Sequence, residues 1–300
     1  MIKIAFKNNY VLQLPQRHPF PMEKYDLLPR QLKHLGIAEE DQFFEPSAIS
    51  EEDILLTHTK EYWSKLKNLK LTEKEAKATG FPQSIEMVER EVDIASGTYN
   101  LALHALKFGC GFNIAGGTHH AFSDHGEGYC LLNDQAIAAN LLLRNNLVKK
   151  VLIVDLDVHQ GNGTAEIFKN DDRVFTFSMH GARNYPTQKM ISDLDISLPC
   201  KTGDKAYLKR LQETLPAIIE LQKPDVVFYQ AGVDVLENDK FGRLSLTLNG
   251  CRSRDEIVFE NCSEMNIPII VTMGGGYNRD FSKILKAHVQ TFEVASYLNV

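Results

Sequence analysis

The stretch VLIVDLDVHQGNG, residues 151–163, carries an apolar run into Asp155, Asp157 and His159, each two positions apart. Side chains alternate faces in an extended chain, so these three project together while Leu156 and Val158 project the other way. Two neighbouring carboxylates raise each other's pKa unless a cation or donors satisfy them, which points to a bound metal. A helix cap beside a surface histidine is the blander reading, and the rest of the chain decides between them. GGTHHAF sets His119 and His120 side by side after two glycines, which let backbone pass close to a ligand. QAGVD offers Asp234 as a third ligand beside Asp157 and His159. Three protein ligands leave a position for water and substrate, as a catalytic zinc site requires, and zinc acidifies water and polarises a carbonyl. GGGYN lacks the lysine and the spacing of phosphate-binding loops, and its glycines read either as a turn before a core tyrosine or as a tight approach that aims the Tyr277 phenol into a pocket, where near a metal it could stabilise an oxyanion.

Short apolar runs must hold these groups: FNIAGG, VLIVDLD, VFTFSMH, DVVFYQAG and PIIVTMGGG read as strands alternating with helical patterns, the signature of βαβ units. Leu208, Leu211, Leu215, Ile218 and Ile219 give one helix an apolar face suited to packing on a sheet. Every polar cluster follows a strand, and ligands of open α/β sheets bind beyond the carboxyl ends of strands, so five distant segments are expected to meet. The polar, turn-rich segment 68–84 reads as a solvated helix end and loop, or as the border of a substrate groove.

The chain has 300 residues, 43% of them hydrophobic, so it can bury a large core as one α/β domain or as two smaller ones, and no composition break divides it. A formal charge of -6 with dispersed Lys and Arg argues against direct nucleic-acid binding. No signal-like or membrane-spanning apolar run occurs, and a cytoplasmic protein is expected. Cys110, Cys130, Cys200, Cys251 and Cys262 form no CxxC pair and read as small buried or semi-buried thiols.

Over nearly all its length the chain resembles the histone deacetylase superfamily, the arginase-like zinc deacetylases, through HPFPMEKY, LLTHTKEYW, GGTHHA, GEGYCLLND, DLDVHQGNG, SMHG, QAGVD and GGGY in order. The form DVHQGNG and the segment DKFGRLSLT look most like class IV and its bacterial relatives, including acetoin-utilisation proteins. The resemblance implies a single α/β catalytic domain over residues 1–300, with an eight-stranded, mostly parallel sheet flanked by helices. It implies zinc on Asp157, His159 and Asp234, with iron(II) as an alternative ion, His120 as general base, His119 as its electrostatic partner and Tyr277 as oxyanion donor. Asp155 is expected to orient His119. A structural potassium ion is expected at Asp155, Asp157, His159, Ser178 and Met179. Gly128 and Tyr129 would wall a tunnel for the lysine stem, joined by His180 and Gly275. Phe241 stands at the rim, where polyamine-deacetylating relatives carry an acid.

One departure bears on the chemistry. Many members carry an acid where this chain has Asn162, so the partner of His120 is neutral and the base limb of activity is expected at lower pH. The expected activity is removal of acetyl or longer fatty acyl groups from the lysine side-chain amide of a protein or peptide. Alternatives are a deacetylase of small acylated amines using the same zinc site and a catalytically inert acyl-lysine binder. An arginase-like two-metal ureohydrolase is disfavoured because Asp234 lacks a DxD partner. The sequence leaves the oligomeric state open.

Overall fold

The computed structural model describes residues 2–298. Eight strands form one sheet: β1 (Lys3–Ala5), β2 (Phe43–Phe44), β3 (Cys110–Asn113), β4 (Val151–Asp155), β5 (Val174–Gly181), β6 (Leu194–Leu198), β7 (Val226–Gln230) and β8 (Ile269–Thr272). Their order is β2-β1-β3-β8-β7-β4-β5-β6, and every pairing is parallel, so the sheet expected to be mostly parallel is parallel throughout.

A parallel sheet is covered on both faces, and its strands are therefore apolar at nearly every position. In β4, Leu152 and Val154 join one hydrophobic cluster while Val151 and Ile153 join the other. Val227 and Tyr229 against Val226 and Phe228 repeat the alternation in β7. The longest helices cover the two faces. Ile85–Phe108 packs against Asp134–Arg144, whereas Asp204–Gln222, Leu248–Glu264 and Phe281–Tyr297 pack in succession. Leu211, Leu215, Ile218 and Ile219 of Asp204–Gln222 are buried as their spacing predicts, and Leu208 is half-buried.

The five strands read from sequence are present, and the apolar start of the chain forms β1. Two edge strands escape the pattern because β2 has only two residues and β6 mixes apolar and polar residues along a half-exposed edge. Segment 68–84 contains the helix Glu73–Thr79, begun by a reciprocal cap between Thr72 and Glu75 and ended by Gly80 in the left-handed region. All five cysteines are free. Four are buried, but Cys200 is exposed, contrary to expectation. Among the described residues no helix is long and apolar enough to cross a membrane.

Candidate active site

The four central strands β3, β8, β7 and β4 each deliver a loop to a cavity of about 530 Å³ beyond their carboxyl ends, and the loop after β5 completes its wall. All five segments expected to meet do so. Asp157, His159 and Asp234 are buried, and one ligand atom from each lies within 4.8 Å of the others. His159 Nδ1 sits 3.0 Å from Asp157 Oδ1 and 3.1 Å from Asp234 Oδ2.

Backbone amides aim these carboxylates. Asp157 Oδ1 accepts from His159 N at 2.9 Å, its Oδ2 accepts from Gly275 N at 2.9 Å, and Asp234 Oδ1 accepts from Val158 N at 2.9 Å. Asp234 Oδ2 is buried with no hydrogen-bond partner. Gly275 leaves no room for a side chain, since a Cβ there would stand 2.0 Å from that oxygen. Burial and the Asp157 charge push the Asp234 carboxyl up to about 7. Burial opposes ionisation of His159, yet the hydrogen-bonded Asp157 and the nearby Asp234 carboxylate raise it to about 10. One imidazole nitrogen and two carboxylates, one with an orphaned oxygen, suit a divalent cation with an open position, so the residues fit the implied metal.

The two histidines have opposite surroundings. His119 Nδ1 lies 2.7 Å from Asp155 Oδ2; burial works against its charge, but Asp155 and Asp157 raise its pKa. His120 Nδ1 lies 2.6 Å from Asn162 Oδ1, and burial, with His119 and His159 close by, holds it well below the usual histidine range. Asn162 Nδ2 donates to Glu127 Oε1 at 2.6 Å. Because a carboxylate only accepts, this bond fixes the amide with its oxygen towards His120, so His120 Nδ1 carries the proton and Nε2 keeps its lone pair. Glu127 is a functional residue that sequence reasoning missed; it lies in the quoted GEGY, 35 positions from Asn162.

Aromatic rings line the approach. Phe241 and Tyr129 stand 4.9 and 6.0 Å from the Tyr277 ring, and Phe20 lies 5.2 Å from Tyr129. Tyr277 follows a tightly turned glycine run. Asp239 Oδ2 accepts from its N at 2.7 Å, and Lys24 Nζ donates to Gly274 O at 2.7 Å. Burial and the charges of Asp234 and Asp157 push the phenol pKa well up, so it remains an O–H donor. Gly128 and Tyr129 both adopt the left-handed conformation, uncommon for tyrosine, and their amides donate to Ala78 O at 3.0 Å and Thr79 O at 2.8 Å. Segment 68–84 thus borders the cavity. The close approach allowed by Gly116 and Gly117 is to the side chains of Asp134 and Gln230.

His180 is a correction. It is fully buried beneath the loop, with Nδ1 2.9 Å from Ser178 Oγ and Nε2 3.1 Å from Ser197 Oγ, and lies outside the cavity wall. Tyr185 of the same loop takes the wall position, its ring 5.0 Å from that of His120. A bulky ring five residues later was the available signal. Of the potassium candidates, Asp155 and Ser178 are register partners across β4 and β5, Met179 is buried next to Ser178, and Asp157 and His159 follow in the loop.

An all-parallel α/β sheet with a triad able to hold a cation, a histidine pair and a tyrosine at its carboxyl edge defines an arginase/deacetylase-type fold. The histone deacetylase domain matches residues 18–292, and the chain belongs to that family. It is 39% identical to an uncharacterised protein of Picosynechococcus over 95% of each chain. It is 29% identical to Histone deacetylase 2 of Arabidopsis thaliana, covering 96% of this chain and 78% of that one. The acetoin utilization protein AcuC of Staphylococcus aureus is 27% identical, over 87% of this chain and 73% of its own. An HDAC homolog from Aquifex aeolicus shares the fold with a TM-score of 0.83 at 24% identity, covering 98% of this chain and 83% of that one. Family membership and the triad support a deacetylase hydrolase.

Proposed function

We propose that this single catalytic domain hydrolyses the side-chain amide of acylated lysine, acetyl or longer fatty acyl, in a metal-dependent reaction. The observation that carries the reading is the meeting, in one aromatic-walled cavity, of the Asp157–His159–Asp234 triad, a histidine with a free Nε2, and a tyrosine O–H. Zinc on the triad, or iron(II) on the same donors, supplies a Lewis acid that polarises the amide carbonyl and acidifies water.

The chain's own groups do the rest. Tyr129, Tyr185, Phe241 and Gly128 flank an aliphatic stem and exclude water from it. His120 Nε2 takes the proton from attacking water, and the same nitrogen returns it to the leaving amine, which has a pKa near ~10.4 and does not leave as an anion. The Tyr277 hydroxyl donates to the carbonyl oxygen as negative charge develops on it. Asp155 holds His119 in place, and burial, with His119 beside it, keeps the His120 base neutral. A potassium ion held around Asp155, Asp157, His159, Ser178 and Met179 belongs to the same reading, as a structural element of the loop after β4.

The test is amine release by zinc-loaded protein from one lysine peptide bearing acyl chains from acetyl to myristoyl. Turnover is expected with wild type, is lost in His120→Ala, and falls about 10²- to 10³-fold in kcat in Tyr277→Phe. Absence of turnover on every chain length with zinc bound refutes the reading.

A further inference from the structure

The cavity carries its carboxylates deep and its exposed cations outside; the one buried lysine or arginine of its lining among the described residues, Arg90, is paired with Glu91. Its only carboxylates among the described residues are Asp157 and Asp234, both buried at the floor. Lys77, Arg183, Lys240 and Arg243 also line it, and all four are exposed, so they stand at the mouth. They come from three separate segments: the helix Glu73–Thr79, the loop after β5, and the loop after β7.

These loops are tied together there. Asn184 Nδ2, next to Arg183, donates to Phe241 O at 2.7 Å, and the amide of Gly128 reaches Ala78 O beside Lys77. Elsewhere some exposed cations take acidic partners, as in Lys65–Glu75, Arg144–Asp53 and Arg173–Asp171, and others, such as Lys74, Lys205 and Lys286, pair with none among the described residues and stand away from this opening. Among the described residues the four at the mouth take none; Lys240 instead lies over the Phe241 ring, 5.0 Å from its centre. The nearest acid in sequence, Asp239, is buried and turned inward, accepting from the amides of Phe241, Gly242 and Tyr277. Glu127 is engaged by Asn162. In a chain with formal charge -6, four unpaired cations around one opening form a local positive field.

We propose that the acylated lysine reaches this site within an acidic segment, with Asp or Glu side chains on either side meeting Lys77, Arg183, Lys240 and Arg243. The inference rests on the lysine deacylase reading and adds the chemistry of the surrounding peptide. Rim charges act mainly on encounter and selectivity, and each exposed pair contributes little, so the preference is a summed effect that salt screens. A Lys- and Arg-rich segment meets like charge at the same four places.

Three peptides with one acyl-lysine, flanked by Asp/Glu, by Ala/Ser or by Lys/Arg, test this with the metal-loaded full chain. At low salt the acidic peptide is expected to exceed the neutral one by about tenfold in kcat/KM, carried by KM, with the basic peptide slowest. The spread is expected to shrink in 0.5 M salt, roughly, where the screening length falls below about 5 Å. In the double variant Lys240→Glu, Arg243→Glu the order of acidic and basic peptides narrows or inverts. That ranking is a ratio within one preparation, so partial misfolding does not mimic it. Turnover of the neutral peptide with no acidic advantage overturns the inference and leaves the deacylase reading standing. Absence of turnover on all three refutes both, and preference for a small acylated carboxylate over every peptide overturns the acidic segment.

Discussion

At the scale of single residues, adjacent histidines acquire different roles from what touches the far side of each ring. His119 faces Asp155, whereas His120 faces the amide of Asn162, itself held by Glu127. A general base must be neutral, so a depressed His120 pKa places the acid-side fall of activity below the ordinary histidine range. Asn162→Asp puts a carboxylate beside the His120 Nδ1–H, which favours imidazolium and raises the His120 pKa. The expected outcome is an acid-side limb of kcat/KM displaced to higher pH, with activity lost on the acid side and kept above it. A limb that stays in place in the variant's pH profile contradicts this coupling. The histidine–asparagine pair was legible from motif order. Glu127 was not, because no local spacing rule links a glutamate before the tunnel tyrosine to a helix start 35 positions later.

Elements follow the sequence most closely where periodicity alone decides them. Five of the six inner strands read as apolar runs because both faces of a parallel sheet are covered, and the signal fades at β2 and β6, where one edge lacks a neighbour. Long-range fastening left no such signal. The helix Glu73–Thr79 looked like a solvated surface piece, yet its last carbonyls hold Gly128 and Tyr129 in place. His58, in the quoted LLTHTKEYW, is a second fastener of the loop that carries His120 and Tyr129. Its Nδ1–H donates to Phe122 O at 3.0 Å, and its Nε2 accepts from Asn133 N at 3.0 Å, where Asn133 caps the helix Asp134–Arg144. Burial lowers its pKa to about 4, against 6.5 for the free side chain. The unfolded chain therefore takes this proton first as the medium acidifies. The stabilising contribution is complete above the unfolded value and is lost as pH falls from there towards the folded one, by about 3 kcal/mol in all. Glutamine can donate and accept at the same two partners without titrating. Urea unfolding of His58→Gln is expected to lose about 3 kcal/mol less than wild type between pH ~7 and ~4. Equal losses in the two proteins would remove His58 as the source.

For the whole molecule, the sheet concentrates its polar cost at one edge. Residues far apart in sequence, Asp157 and His159 on one side and Asp234 on the other, become neighbours because β4 and β7 pair in register, Asp155 opposite Gln230. Co-linear motifs made this architecture legible, while the cations at the mouth were not, since their meeting depends on three loops rather than on any one pattern. In this buried site the two carboxylates repel each other with only the His159 ring between them, and the Asp234 oxygen lacks a hydrogen-bond donor. A cation on the proposed triad would therefore add to the stability of the entire domain. At a free metal concentration 100 times Kd the folded state gains about 2.7 kcal/mol, or roughly 5 °C in Tm for a chain of this size. A chelator is expected to reverse the gain. Asp234→Asn removes one of the two repelling charges and a ligand together. The metal-free variant is expected to melt no lower than the metal-free wild type, while its metal-induced rise is largely lost. Calorimetry of both proteins with and without zinc separates these effects, and an undiminished zinc shift in Asp234→Asn would place the cation somewhere other than on this triad.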